Sequence, residues 1–311
     1  MKTGQIPITL AHSADADDVY MWWPITGMLS PEAPHAVVSP PEVDTGPFRI
    51  VAEPGDIGEF NRRAIVSSGA RPGPEVVAIS YAALAHCHDR YGATSFGSSF
   101  GDGYGPSLVT RPSLAGRGLR PLAGATVAVP GLATSAAITL RIVLPDAGLR
   151  LVEAPFDQIS GLVRTGEVDA GLIIHEEKLV YRDLGLVEVL DLGLAWRVLT
   201  GLPLPLGANA VRLDLDRQHG PGTVQRLVNV LHASLRHARA HHARSSAYAW
   251  QWASRKLPMR ELGEQYLDLY VSSLTDDATG RGERAIHEFH RRAAEIGALP
   301  SIPPVRLLSG Q

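Results

Sequence analysis

Thr126-Val127-Ala128-Val129-Pro130-Gly131-Leu132-Ala133-Thr134-Ser135-Ala136 is the stretch on which the reading of this chain turns. Thr126 to Val129 has the character of a strand buried on both faces, and Pro130-Gly131 makes a turn. Thr134-Ser135 then supplies side-chain oxygens able to cap a helix that runs to about Leu144. Further on, Phe156, Ile159, Leu162 and Val163 keep helical spacing, with Gly166 placed as the stop. Ala170-Gly171-Leu172-Ile173-Ile174 is another buried strand, and it delivers His175 at its carboxyl end. Working back towards the start, Phe48 to Ala52 and Glu75 to Ile79 predict strands, the second ending at Ser80. Ile57 to Ala64 predicts a short helix, Tyr81 to Arg90 a helical stretch, and Ser107 to Thr110 another strand. Residues 30–47, rich in Pro and Gly, read as an irregular loop around one short strand, and the last third is mostly helical. Strands alternating with helices predict α/β layers with largely parallel pairing. In such sheets ligands sit beyond the carboxyl ends of the strands. Ser80, the Thr134-Ser135 turn and His175 all hold that kind of position.

Composition narrows the classes. The chain has 311 residues, of which 45% are hydrophobic and 20% charged, so it has the means to build sizeable cores and is not disordered. A net charge of −3 argues against a nucleic-acid partner. Lys2, Lys178 and Lys256 are the only lysines; the other cations are arginine, a compositional bias with no functional reading. The single cysteine, Cys87, excludes an internal disulfide and a cysteine-only metal site. The segment Met1 to Leu10 has no apolar secretory core, and no run of about 18 apolar residues is present. A soluble cytoplasmic protein with no membrane association is therefore expected.

Several residues carry possible chemistry. His175 leaves a buried strand and meets Glu176 and Glu177. Histidine exchanges protons near neutral pH, so it can act as a general base; alternatively it hydrogen-bonds a loop. Leu179 stands where a zincin's second histidine belongs, so this is not a metalloprotease motif. Thr134-Ser135-Ala136 opens a helix whose free N–H groups suit a carboxylate or phosphate, or serves simply as its cap. His12-Ser13-Ala14-Asp15-Ala16-Asp17-Asp18 lacks the glycine and closing glutamate of a calcium loop, and reads as capping of a helix at Val19 to Trp23. Gly101 to Pro106 lacks the third glycine of a dinucleotide loop and precedes a strand, so it reads as a crossover or a cleft wall. His86 and His88 would face apart on a helix. The run from His232 to Arg244 reads as a solvated helix face, and Trp22, Trp23, Trp250 and Trp252 as core or cleft wall.

Separate stretches then converge on one family. Thr126 to Ala136 resembles its V-A-[VI]-P-G-x-x-T-[TS]-A pattern. The match continues through Gly166-Glu-Val-Asp-Ala-Gly-Leu-Ile-Ile-His-Glu176, Tyr181, Gly185-Leu186, Asp191-Leu192-Gly193 and Thr200 to Gly207. Ser80-Tyr81-Ala82-Ala83, Gly103 to Pro106, Tyr270 and Gly282 to Ala285 fit as well. From about Ile8 to Pro300 the chain resembles the dihydroxynaphthoate synthase enzymes of the futalosine route to menaquinone. The resemblance implies a periplasmic-binding-protein-like type II fold, two α/β lobes joined by a two-strand hinge. The first lobe would comprise 1–111 and 209–311, and the second 112–208. It implies a lyase that converts a small-molecule substrate, cyclic dehypoxanthine futalosine, to 1,4-dihydroxy-6-naphthoate with no metal or organic cofactor. His175 would correspond to the general base. Thr134, Ser135 and Ala136 would bind substrate from one lobe, and Ala78, Ile79 and Ser80 from the other. The chain departs from the family pattern at Ala78, where lysine is common, at Ser13 to Asp18, where Ser-Pro-Cys-Pro-Asn-Asp is common, and at Glu177-Lys178, where Ser-Arg is common. At Ala78 either another cation, such as Lys178 or a nearby arginine, takes over, or the substrate is less anionic at that end. A chorismate-dehydrating relative, another small-carboxylate lyase and a solute receptor on the same fold are the rival readings.

Overall fold

The computed structural model describes residues 4–115, 122–145, 147–253, 255 and 257–311. Met1 to Thr3 of the stretch read for an export signal, residues 116–121 and 146 of the expected second lobe, and Lys256 lie outside the described residues. Two sheets dominate. The first runs in the order Phe48–Gly55, Ile6–Ser13, Val76–Ser80, Leu204–Arg212, Tyr91–Thr94 and Leu307–Leu308, with Ser99–Gly101 also paired to Leu204–Arg212. The second runs Arg150–Glu153, Thr126–Val129, Ala170–Ile173, Ser107–Thr110 and Val187–Asp191. By sheet membership the chain passes to the second sheet before Ser107 and returns before Leu204, slightly ahead of the expected boundaries at 112 and 208.

The pairing is less uniformly parallel than the alternation predicts. Ile6–Ser13 pairs in parallel with both neighbours, and Thr126–Val129 does the same in its sheet. Ser107–Thr110 and Leu204–Arg212 are antiparallel to strands beside them. These two strands enter their sheet from the other one. They therefore start at the facing edge, where the parallel strands end, and run the opposite way. Ser13, Ser80, Val129 and Ile173 are thus strand ends that meet across one gap.

The segment after each of these strand ends starts at the gap. Ala16–Thr26 is a helix capped by Asp15, Tyr81–Leu84 a single turn, Ser135–Val143 a helix capped by Thr134, and His175–Leu179 a 3-10 turn. The helical reading of Tyr81 to Arg90 is cut short at Leu84. The amides of His86 and Cys87 bond to carbonyls three residues back, the chain tightens, and Cys87 is buried, so the helix expected to carry His86 and His88 is absent. Residues 30–47 hold a ribbon of Met28–Ser30 with Ala33–Ser39. Trp22, Trp23 and Trp252 are buried among the helices Ala16–Thr26, Thr223–Ala240 and His242–Ala253. Leu227, Leu231 and Leu235 fill the inner face of the long helix and leave its histidine-rich face near the surface, where His237 bonds Glu42 and Arg239 bonds Asp276. Of the described residues, no helix is long and apolar enough to cross a membrane.

The two crossovers touch. The amide of Leu192 donates to the Pro106 carbonyl at 2.9 Å. A Cβ on Gly105 would meet the Gly193 nitrogen at 2.7 Å, and a Cβ on Gly193 would fall well inside contact distance of the Tyr104 carbonyl. Both positions need glycine because backbone meets backbone there. Gly193→Ala is expected to lower the unfolding free energy by about 1–3 kcal/mol or more, the scale of overpacking a rigid contact. Gly69→Ala, with open space around it, is expected to stay within about 0.5 kcal/mol. Denaturant titration of the two variants checks this.

Candidate active site

One cleft between the sheets is lined by Ala78, Ile79, Ser80, Thr134, Ser135, Ala136 and His175. It encloses about 800 Å³, mouth included. All seven residues singled out from the sequence therefore face one space, although they come from different strand ends.

His175 sits at the turn after Ala170–Ile173 with φ +57, the only described non-glycine residue at positive φ. That backbone costs about 1–3 kcal/mol for an L-residue. It carries the imidazole round so that Nδ1 lies 2.7 Å from Asp15 Oδ2. A carboxylate only accepts, so Nδ1 donates to it, and in the neutral imidazole Nε2 keeps its lone pair. Nε2 is buried without a partner among the described residues, on a ring that lines the cleft. Phe156 packs edge-on against the ring, with centroids 4.9 Å apart.

The residues expected to bind substrate differ in what they still offer. Asn61 clasps Ser80: its Nδ2 donates to Ser80 Oγ at 3.0 Å and its Oδ1 accepts the Ser80 amide at 2.9 Å. Ser80 keeps its own O–H for the cleft. Thr134 Oγ1 is committed to the cap, donating to Gly131 O at 2.7 Å and accepting from the Ala137 amide at 3.2 Å. Ser135 bridges the sheets: its hydroxyl donates to Leu206 O at 2.6 Å and accepts from the Ala82 amide at 3.3 Å. What this helix start presents to a ligand is mainly backbone N–H. Lys178, the cation considered as a substitute for the missing lysine at 78, does not line the cleft. It bonds Asp191 Oδ2 at 2.5 Å and Ser107 Oγ at 2.9 Å. Among the described residues the lining contains no lysine or arginine.

Several lining residues are not marked as such by the sequence. Asp15 reads there only as part of a cap. It is one, since its Oδ1 accepts the Asp18 amide at 3.4 Å, but the same carboxylate meets His175. Asp17 and Asp18 also line the cleft; burial and the Asp15 charge hold both carboxyls well above the usual range. Tyr266 donates to Asp17 Oδ1 at 3.0 Å. Ser13 Oγ and Asn209 Oδ1 are buried lining atoms without a partner among the described residues. The Asn209 amide is oriented by its Nδ2, which donates to Gly97 O at 2.7 Å, so Oδ1 remains an acceptor awaiting a donor. For Ser13 and Asp15 a signal existed: they lie at or just past a strand end, as His175 does. Nothing local marks Asn209.

Known proteins resemble this chain in both sequence and structure. Residues 8–295 match the sequence profile of a family described as menaquinone biosynthesis. A Thermus thermophilus protein named 1,4-dihydroxy-6-naphthoate synthase is 37% identical over 80% of this chain and 86% of its own length. A Streptomyces coelicolor protein of the same name is 35% identical over 74% of this chain and 79% of its own. A crystal structure of an Archaeoglobus fulgidus protein superposes with a TM-score of 0.78 at 33% identity, over 96% of this chain and all of that one. A Candida albicans gene product described as having the generic periplasmic binding protein fold matches with a TM-score of 0.64 at 8% identity, over 96% and 93% of the two chains. This last likeness concerns the fold alone, and the fold is periplasmic-binding-protein-like.

Behind the cleft floor, His290 Nε2 donates to the Tyr81 carbonyl at 3.0 Å, while Nδ1 is buried without a partner among the described residues. Burial pushes this imidazole down to about 4. The unfolded chain then takes up the proton first as pH falls. The contribution is complete above the ordinary histidine range and is lost as pH drops from about 6.5 towards 4, to a total of about 3 kcal/mol. Denaturation midpoints are expected to fall over that window, and to fall less in His290→Gln.

Proposed function

The chain belongs to the menaquinone biosynthesis family, and from that premise we propose that it is a carbon–carbon lyase forming 1,4-dihydroxy-6-naphthoate from cyclic dehypoxanthine futalosine. The observation that supports this most is the pairing of His175 Nδ1 with Asp15 while Nε2 stays unpartnered in the cleft. A neutral imidazole held in this tautomer is a general base aimed at a ligand.

In this mechanism Nε2 removes a proton from a substrate hydroxyl. The oxygen's electron pair forms a carbonyl as the adjacent C–C bond breaks, the pair of that bond passes into the bicycle and on to a ring carbonyl oxygen, which becomes a naphtholate, and rearomatisation provides driving force. The proton moves to His175, and the imidazolium is stabilised by the Asp15 carboxylate. The N–H groups opening the helix Ser135–Val143 take the anionic end of the substrate. Ser80 donates from the opposite lobe, its hydroxyl oriented by Asn61. Asn209 Oδ1 and Ser13 Oγ supply acceptors for substrate hydroxyls. Closure of the lobes excludes water and brings the two half-sites together. The lack of lysine and arginine in the described lining favours one second reading, a related lyase whose substrate is less anionic.

The experiment is to supply cyclic dehypoxanthine futalosine and assay for the naphthoate. Turnover is expected, with kcat lowered roughly 10²- to 10⁴-fold in His175→Asn, the scale of losing a general base. Asparagine tolerates positive φ, so this variant is expected to keep the fold. Absence of product from folded wild-type protein would replace the proposal with the second reading. Ser135→Ala is expected to raise KM several-fold with little change in kcat, because its hydroxyl links the lobes away from the reacting hydroxyl. A loss confined to kcat would place Ser135 at the reacting centre.

A further inference from the structure

The turn that carries His175 is fastened on both sides of the cleft. Glu177 Oε1 accepts from Ser160 Oγ at 3.0 Å, and Lys178 Nζ donates to Ser107 Oγ at 2.9 Å and to Asp191. These partners belong to the second sheet or to the helix Ile159–Thr165 that leads into it. Glu176 reaches the other side. Its Oε1 accepts the Ala16 amide at 3.0 Å, at the first residue of the helix Ala16–Thr26. That amide is one of the donors that a helix start leaves without an internal partner. Asp15 caps the same helix locally by taking the Asp18 amide. The helix start is thus served by one carboxylate from its own segment and one from the opposite sheet. Glu176 is fully buried and does not line the cleft.

Two adjacent residues on one side therefore hold two adjacent residues on the other, His175 with Asp15 and Glu176 with Ala16. A single contact leaves the imidazole free to pivot about the line from Nδ1 to Oδ2. A second contact one residue along removes that freedom. The positive φ of His175 calls for it, because such a backbone persists only where its surroundings over-determine it. We propose that Glu176 is a positioning residue: by capping the helix Ala16–Thr26 from the opposite sheet, it fixes the direction in which His175 Nε2 meets a ligand. It acts through the backbone it shares with His175. The aim of a base matters steeply, since a displacement of about 1 Å at the reacting atoms can cost about 10²-fold in rate. The contact requires of residue 176 an acceptor at this reach, which glutamine also supplies. It requires of residue 16 an N–H, which proline lacks. Proline otherwise suits the first position of a helix, and Asp15 before it already has the extended backbone that proline imposes.

The inference rests on reading His175 as the base, and its first test needs no turnover. In ¹⁵N-labelled protein the His175 Nδ1 proton, assigned by its loss in His175→Asn, is expected as a downfield resonance. It is expected to persist in Glu176→Gln and to broaden or vanish in Glu176→Ala and in Ala16→Pro. An unchanged resonance in either of the last two overturns the proposal, whatever the substrate is. With cyclic dehypoxanthine futalosine turned over, Glu176→Ala and Ala16→Pro are each expected to lower kcat roughly 10- to 10²-fold, with KM within about threefold of wild type. Glu176→Gln is expected to recover most of that loss. The double variant is expected to lose no more than either single one, because both remove the same contact. Losses that multiply, or a kcat in Glu176→Gln as low as in Glu176→Ala, overturn the proposal. If Glu176→Ala does not fold, Ala16→Pro against Glu176→Gln makes the same comparison. A wild type that forms no naphthoate, with the resonances behaving as expected, removes the lyase reading and supports the positioning of His175 by Glu176.

Discussion

The 2.7 Å contact between Asp15 and His175 joins the two halves of this molecule across the cleft between the sheets. Asp15 follows a strand of the first sheet and caps the helix Ala16–Thr26; His175 follows a strand of the second. One carboxylate therefore serves a local purpose and a distant one. The local purpose fixes the side chain: a cap has little rotational freedom, and its oxygen is oriented before the second sheet arrives. The distant purpose sets the tautomer of the imidazole. Breaking such a buried contact on one side would leave an uncompensated charge, which typically costs about 3–5 kcal/mol. Here that cost is coupled to the relative position of the lobes.

The rest of the cleft depends on the direction of the strands. Parallel strands end at the gap, so the helices and turns after them begin there and present amide N–H groups and capping side chains to it. The two strands that cross between sheets must run the other way, which is why Leu204–Arg212 brings Asn209 alongside Ala78 from the opposite direction. Where the crossovers meet, at Gly105 and Gly193, there is room only for backbone. The positive φ of His175 belongs to the same economy of space: the strand ends, and the chain turns at once to bring the ring over Asp15.

The charge in this cleft is unusual for a site expected to take an anion. Its described lining offers acids, neutral donors and one imidazole, while Lys178 is bound to Asp191 and Ser107 outside the cleft. An anionic ligand would then rely on backbone N–H groups, which carry only partial charge, and a strongly charged one would be held weakly beside the acids. Ser80 and Asn209, oriented by Asn61 and by Gly97 O respectively, suit hydroxyls better than carboxylates.

The sequence by itself determined the layered α/β architecture, because buried strands and capped helices are written in local periodicity: Thr126–Val129, the Thr134 cap and Gly166 fall where the pattern puts them. It also marked Ser80, Ser135 and His175 as residues at strand ends, since they come after runs that can only be core, and the structure brings all three to one cleft. It failed where a local signal admits two outcomes. Tyr81 to Arg90 has helical spacing, but tight turns and the burial of Cys87 end the helix at Leu84. Asp15 looks like a cap and is one, and no window of sequence contains the histidine that gives it a second role. Ser135 looks like a ligand-binding hydroxyl, yet its proton goes to Leu206 across the cleft. Only the tertiary structure decided these points. Partners distant in sequence meet through the crossing of the two lobes, and the protonation of a buried group depends on the sum of its neighbours' charges and on the water they displace.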